Sequence, residues 1–248
     1  MENEIESLKK NAQELRKKVL NVAFETKEGH LGGSLSEIEI LVSLYNKILD
    51  KEDKFILSKG HACLPLFILL KERGLNPHFA GHPDIDLENG ITCTTGSLGH
   101  GLPIAIGMAI ARKIKNQKGD FYVLMGDGEC QEGTVWESSL IASNFKLDNL
   151  IVIVDKNSLQ ALDKTENILP LGNLAEKFRA FGYDVSEVNG HSFPELLDSL
   201  KKRVPSMPRM IIANTVKGKG VSFIENCPKW HACFPTPEEL NQAMNELT

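Results

Sequence analysis

Apolar residues recur every three or four positions from Ile5 through Leu8, Ala12, Leu15, Val19 and Val22, the spacing of an amphipathic helix that ends near Gly29. Two later runs behave differently. Residues 121–126 (FYVLMG) and 150–155 (LIVIVD) are almost wholly apolar and too short for buried helices, so they predict strands covered on both faces. A third strand is expected at 209–215 (RMIIANT). Between the first two lies a helix's worth of chain, from Thr134 to Lys146, which makes strand, crossover helix and parallel strand the economical topology. Further helices are expected at 35–48, 61–73, 98–115, 193–203 and 236–246, the last opening on Thr236-Pro-Glu-Glu as a capped start. The pattern predicts an α/β fold, a parallel sheet flanked by helices on both sides, with ligands beyond the carboxyl ends of the strands. No repeat, low-complexity tract or Pro/Gly-rich linker divides residues 1–248, which read as a single domain with a natural end.

Composition narrows the class of partner. With 248 residues, 42% of them hydrophobic and 25% charged, the chain can bury one sizeable core. A net charge of −5 argues against a nucleic-acid footprint, and the one basic cluster, Lys201-Lys202-Arg203, reads as the solvated end of a helix. Five cysteines without a C-x-x-C do not suggest a disulfide framework, which points to a reducing compartment, the cytoplasm. The opening segment is too charged for a secretory signal and no apolar run reaches the length of a membrane span, so no membrane partner is expected.

The strongest chemical signal is Gly126-Asp127-Gly128 where the strand at 121–126 runs out, followed by Asn157 where the next strand runs out. Both polar groups then point into one crevice. The Asp127 carboxylate, the Asn157 amide oxygen and the backbone carbonyl of Leu159 are hard oxygens suited to Mg²⁺ (or Ca²⁺ or Mn²⁺), and a Mg²⁺ site completed by phosphate oxygens and water implies a diphosphate ligand. Gly128 permits close backbone approach to that diphosphate, and the helix beginning near Thr134 directs its positive end to the same region. Rival phosphate motifs are missing: there is no G-x-G-x-x-G, and Lys217-Gly218-Lys219-Gly220 lacks the spacing of a P-loop. His30, His61, His82 and His231 sit beside Gly or Pro or in loops rather than on apolar helical faces.

The blocks Glu28-Gly-His-Leu-Gly-Gly-Ser34, Leu57-Ser-Lys-Gly-His-Ala62, Gly81-His-Pro83, Thr94-Thr-Gly-Ser-Leu-Gly99 and Gly126-Asp-Gly128 occur in the order and spacing of transketolases. The sequence resembles that family from about residue 11 to about residue 235, with deoxyxylulose phosphate synthase sharing part of the pattern. The resemblance implies the diphosphate-binding domain of a thiamine diphosphate enzyme that moves a two-carbon ketol unit from a ketose to an aldose. It matches Asp127, Asn157 and the Leu159 carbonyl with the metal ligands, and Gly128 with a backbone donor to the diphosphate. Gly96 and Leu98 match a segment lining the cofactor, and His61 a histidine beside the diphosphate. His82 matches a contact to the donor sugar, and His30 and His231 a pair flanking the reacting hydroxyls, where neutral histidines with pKa values near working pH would move a proton. Glu132 matches an acid of the subunit contact near the cofactor, with Glu137 in the same interface helix.

The sequence also departs from the family. Lys156 and Ser158 flank Asn157 where an aromatic or other residue and a Gly are common in short transketolase chains. His231 lies within Cys227-Pro-Lys-Trp-His-Ala-Cys233, whose alternative reading is a two-Cys, one-His zinc site; three ligands at this spacing fit known zinc sites poorly. In the family a glutamate on a second, pyrimidine-binding domain activates the cofactor. The resemblance therefore implies a partner subunit carrying that domain, sugar phosphate substrates, self-association and a heterotetramer. The alternative function is a non-catalytic or regulatory thiamine diphosphate-binding protein.

Overall fold

The computed structural model describes residues 2–247. In chain order its principal elements are α1 (Glu2–Thr26), α2 (Leu31–Ser36), α3 (Ile38–Ser43), β1 (Lys54–Leu57), α4 (Leu64–Glu72), α5 (Gly101–Ile114), β2 (Phe121–Gly126) and α6 (Gly133–Asn144). These are followed by β3 (Leu150–Lys156), α7 (Thr165–Ile168), α8 (Leu174–Ala180), β4 (Asp184–Asn189), α9 (Phe193–Lys201), β5 (Arg209–Asn214) and α10 (Pro237–Glu246). The five strands form one sheet in the order β1-β2-β3-β5-β4, and every pairing is parallel.

Alternation along the strands divides the core in two. Ile151 and Ile153 of β3 face α1–α4, α9 and α10, whereas Leu150, Val152 and Val154 face α5, α6 and α8. The connection after β3 runs through α8 on one face, and the segment after β5 packs through Val221, Ile224 and Ala243 on the other. The chain thus parts at β3 and β5, and the crevice between their carboxyl ends is where a parallel sheet of this kind accepts a ligand.

The structure differs from the sequence expectation in four places. The helix expected over 35–48 is broken at Glu37 (φ −96°, ψ 2°), which separates α2 from α3, and ends in a π turn over Leu44–Ile48. The helix expected at 98–115 begins only at Gly101. A 3-10 turn, Gly128–Gln131, stands between Asp127 and α6. The edge strands β1 and β4 and the short helices α7 and α8 have no counterpart in the periodicity. The capped start at Thr236 is present in full: Thr236 Oγ1 accepts from the Glu239 amide at 3.2 Å and Glu239 Oε2 from the Thr236 amide at 2.8 Å.

Candidate active site

The carboxyl ends of β1, β2, β3 and β5 open onto a cavity of about 300 Å³. Of the residues singled out from sequence, His61, Gly96, Leu98, Asp127, Gly128, Glu132, Asn157, Leu159 and His231 line it. His30 stands beside it, in ring contact with the lining His61 and His231, and His82 is in ring contact with His30. Asp127 follows β2 directly and is 4% exposed. Its oxygens accept from the amides of Gly128 at 3.0 Å and Ser158 at 2.8 Å and from Thr165 Oγ1 at 3.2 Å, and it makes no ion pair among the described residues. Burial, and next the neighbouring Asp155, push the Asp127 carboxyl up to about 6. A buried acid held only by neutral donors on the wall of a cavity suits a cation as its counter-charge.

Asn157 supplies the second oxygen. Its Nδ2 donates to Asp155 Oδ2 at 3.3 Å and its Oδ1 accepts from the Leu159 amide at 3.1 Å. The Leu159 carbonyl accepts from Lys217 Nζ at 3.3 Å. The donor set is hard, oxygen-only and incomplete, which fits Mg²⁺ sharing its coordination with phosphate oxygens and water. Among the described residues no three His, Cys, Asp or Glu side chains converge as a metal cluster, and the Cys227, His231 and Cys233 grouping is not formed. Gly128 is fitted closely: a Cβ there would lie 3.0 Å from Gln160, which lines the same cavity.

Four histidines form the adjoining wall. Ring centroids of His30 and His231 lie 4.8 Å apart, His30 and His61 5.2 Å, His61 and His231 5.4 Å, and His30 and His82 6.1 Å. His30 precedes α2 and its Nδ1 lies 3.1 Å from the His61 carbonyl oxygen. Gly96, at φ +147°, packs against His82, and a Cβ there would stand 3.0 Å from its ring. Burial lowers the His30 pKa, lowers that of His61 well below its usual value, and with Lys217 beside it pushes His231 down to about 4. His30, His61 and His231 are therefore uncharged at neutral pH. His231 titrates lower than the sequence leads one to expect because it is partly desolvated against a cation.

Several contributors are not evident from sequence. Lys217, 2% exposed, donates to the Gln160 carbonyl at 2.8 Å and lies 3.1 Å from His231 Nδ1, and burial followed by Lys59 lowers its pKa to about 8. The same Lys217-Gly218 pair fails as a P-loop in the sequence, yet its cation stands on the cavity wall beside the Leu159 carbonyl. Lys59, also a lining residue, is buried within the block around His61. Glu129 accepts from the amides of Gly99 at 2.8 Å and Gly126 at 3.1 Å and from Ser58 Oγ, tying the Gly96 to Gly99 segment to the ends of β1 and β2. Glu132 lies at the start of α6, exposed, without a side-chain cap bond.

Comparison with known proteins agrees with this geometry. Residues 7–247 match the transketolase thiamine diphosphate-binding domain. The chain is 40% identical to one subunit of the apulose-4-phosphate transketolase of Actinobacillus succinogenes, over 98% of this chain and 96% of that protein. It is 35% identical to the 6-deoxy-6-sulfo-D-fructose transketolase subunit of a Clostridium species, over 97% and 96% respectively. Against Homo sapiens transketolase the identity is 31%, and the match spans 99% of this chain but 43% of the human protein. The crystal structure of Campylobacter jejuni transketolase superposes with a TM-score of 0.85 at 28% identity, covering 97% of this chain and 42% of that one. The chain therefore belongs to the transketolase family, as its amino-terminal, thiamine diphosphate-binding domain.

Proposed function

We propose that the chain is the cofactor-binding half of a two-subunit transketolase that moves a ketol unit from a phosphorylated or otherwise anionic ketose to an aldose. One observation carries the reading: Asp127, Asn157 and the Leu159 carbonyl meet His61 and His231, with His30 and His82 packed behind them, around a single cavity at the carboxyl ends of adjacent parallel strands. Asp127, Asn157 and Leu159 hold Mg²⁺ on the diphosphate of the cofactor, and Gly128, His61 and Lys217 meet the same diphosphate. Bound thiamine diphosphate supplies the electron sink for breaking the carbon–carbon bond beside the ketose carbonyl. His30 and His231 orient the sugar hydroxyls and hold or move the proton at the carbon whose bond breaks, and His82 holds the donor sugar. Gly96 and Leu98 line the remaining wall.

The acid that activates the pyrimidine comes from a partner subunit with a pyrimidine-binding domain. The likeness to relatives that are themselves single subunits of transketolases, over nearly their whole length, supports this. Two copies of this chain and two of the partner assemble as a heterotetramer. Glu137 with the exposed Leu140 and Ile141 on one turn of α6, beside Glu132 at its start, forms the contact between copies of this chain. Among the described residues no helix is long and apolar enough to cross a membrane, and we place the enzyme in the cytoplasm, with sugar phosphates of the pentose phosphate type as substrates. The relatives are named for apulose-4-phosphate and a sulfonated fructose, so both belong in the donor screen beside ordinary ketose phosphates. The reconstituted pair, with thiamine diphosphate and Mg²⁺, should transfer a ketol unit from at least one of these donors. Cofactor binding without transfer from any donor would favour the regulatory alternative.

A further inference from the structure

Asp155, the penultimate residue of β3, is fully buried and shares a face of the strand with Asn157 two residues on. Its Oδ2 accepts from Ser36 Oγ at 2.5 Å, from Asn157 Nδ2 at 3.3 Å and from Lys59 Nζ, and its Oδ1 accepts from Thr215 Oγ1. Its backbone carbonyl accepts the Asp127 amide at 3.2 Å. One residue therefore touches both residues whose side chains are assigned to the metal, and it is fixed by the end of α2, the loop after β1 and the loop after β5.

Three donors, Lys59 Nζ, Ser36 Oγ and Thr215 Oγ1, converge on the Asp155 carboxyl, and Lys59 forms a buried ion pair with it. Lys59 also donates to the Gly33 carbonyl at 2.9 Å and lies 3.0 Å from Glu37 Oε2, although neither Glu37 oxygen has a well-formed hydrogen bond. Burial pushes Glu37 up to about 8, so the buried charge is one Lys59–Asp155 pair beside a neutral acid.

With Ser36, Lys59 and Thr215 all donating to it, the Asp155 carboxyl acts as an acceptor, and the NH₂ end of the Asn157 amide is the end that faces it. We propose that Asp155 is a positioning residue: through Lys59, Ser36 and Thr215 it is locked in place, and it turns Asn157 so that Oδ1 rather than Nδ2 is offered to the metal. This rests on the assignment of Asn157 as a metal ligand. An amide at position 155 could donate or accept, and would leave both flips of Asn157 open.

The test is Mn²⁺ affinity, read by electron paramagnetic resonance on the chain together with thiamine diphosphate and its partner subunit. Asp155→Asn lowers that affinity about 10- to 100-fold, the range for residues that orient metal ligands. It causes no further loss in an Asn157→Ala background. Affinity unchanged by Asp155→Asn, or reduced equally in both backgrounds, overturns the proposal. If Asn157→Ala itself has no effect, the metal assignment fails instead, so the two failures are distinguishable. Should Asp155→Asn not fold, Thr215→Val serves, since it keeps both charges and frees only Oδ1. A loss of affinity confined to the chain that retains Asn157 supports the proposal, and no loss overturns it.

Discussion

The floor and the wall of the cavity are built on different principles. The floor, Asp127 and Asn157, sits on strand ends in the centre of the sheet, nine-tenths or more buried and held by hydrogen bonds from neighbouring segments. The wall, His30, His61, His82 and His231, sits in loops and short turns, half-buried or exposed, with ring-to-ring contacts and few hydrogen bonds. A rigid, charged floor suits a cation and diphosphate that stay through many turnovers, whereas a lightly held wall suits sugars that come and go. Damage to the floor should abolish binding, and damage to the wall should slow turnover with binding kept.

The largest expected effect is on the floor. Asp127→Ala removes an oxygen that a small octahedral cation cannot easily replace, and Mg²⁺-dependent thiamine diphosphate binding should fall below detection by calorimetry with the partner present, while the fold survives. Affinity equal to the parent would remove the basis for the metal assignment. On the wall, His231→Ala should lower kcat by about 10²- to 10³-fold, within the usual range for a proton-transferring group, and release no metal. Stoichiometric zinc in the parent and none in this variant would instead identify the cysteine-flanked histidine as a zinc ligand.

A pH titration separates the two regions further. The raised Asp127 pKa means that a proton competes with the cation at this carboxylate, so Mg²⁺ affinity should be flat above about pH 6 and fall about tenfold per unit below it. In the ligand-free chain the same group contributes stability below its unfolded value, which is lost as pH rises through about 6. Mg²⁺ affinity independent of pH from about 4 to about 8 would mean that Asp127 is not a ligand. The smallest effect concerns the loop between the ligands. Ser158 sits at φ +63°, in the left-handed region where many short transketolase chains carry Gly, and contributes only its amide to Asp127. Strain relief of about 1–2 kcal/mol in Ser158→Gly is offset by the greater chain entropy of Gly, about 0.5–1 kcal/mol. Stability in a denaturant titration should change by less than about 1 kcal/mol, and Mg²⁺ affinity should stay within about twofold.

The same contrast explains what was legible in the sequence. Strands β2, β3 and β5 are buried on both faces and read as apolar runs, whereas the edge strands β1 and β4 do not: β1 has four residues behind a charged stretch, and β4, DVSEVN, is mostly half-exposed. The helix at 35–48 reads as continuous because its apolar spacing continues, but Glu37 turns to Lys59 across the fold, a contact no local pattern encodes. The floor residues Asp127 and Asn157 lie where strands stop and the histidines in Gly-rich blocks or loops, so both are visible in the chain. Lys59 bonds Asp155 across 96 positions, Asp155 bonds Ser36 across 119 and Lys217 bonds Leu159 across 58, and only the folded sheet brings them to the cavity.

The central proposal is that a partner subunit supplies the acid that activates the cofactor bound on this chain. Without that carboxylate the aminopyrimidine has nothing to drive its imino form, and the thiazolium carbon is not deprotonated at a useful rate. The direct measurement is a ketol-transfer assay on the purified chain with thiamine diphosphate, Mg²⁺ and ketose and aldose phosphates, before and after adding the partner subunit. The account predicts no turnover before and turnover after, with the pair running as two plus two copies by mass. Robust turnover by the lone chain, prepared free of any host transketolase, would contradict it.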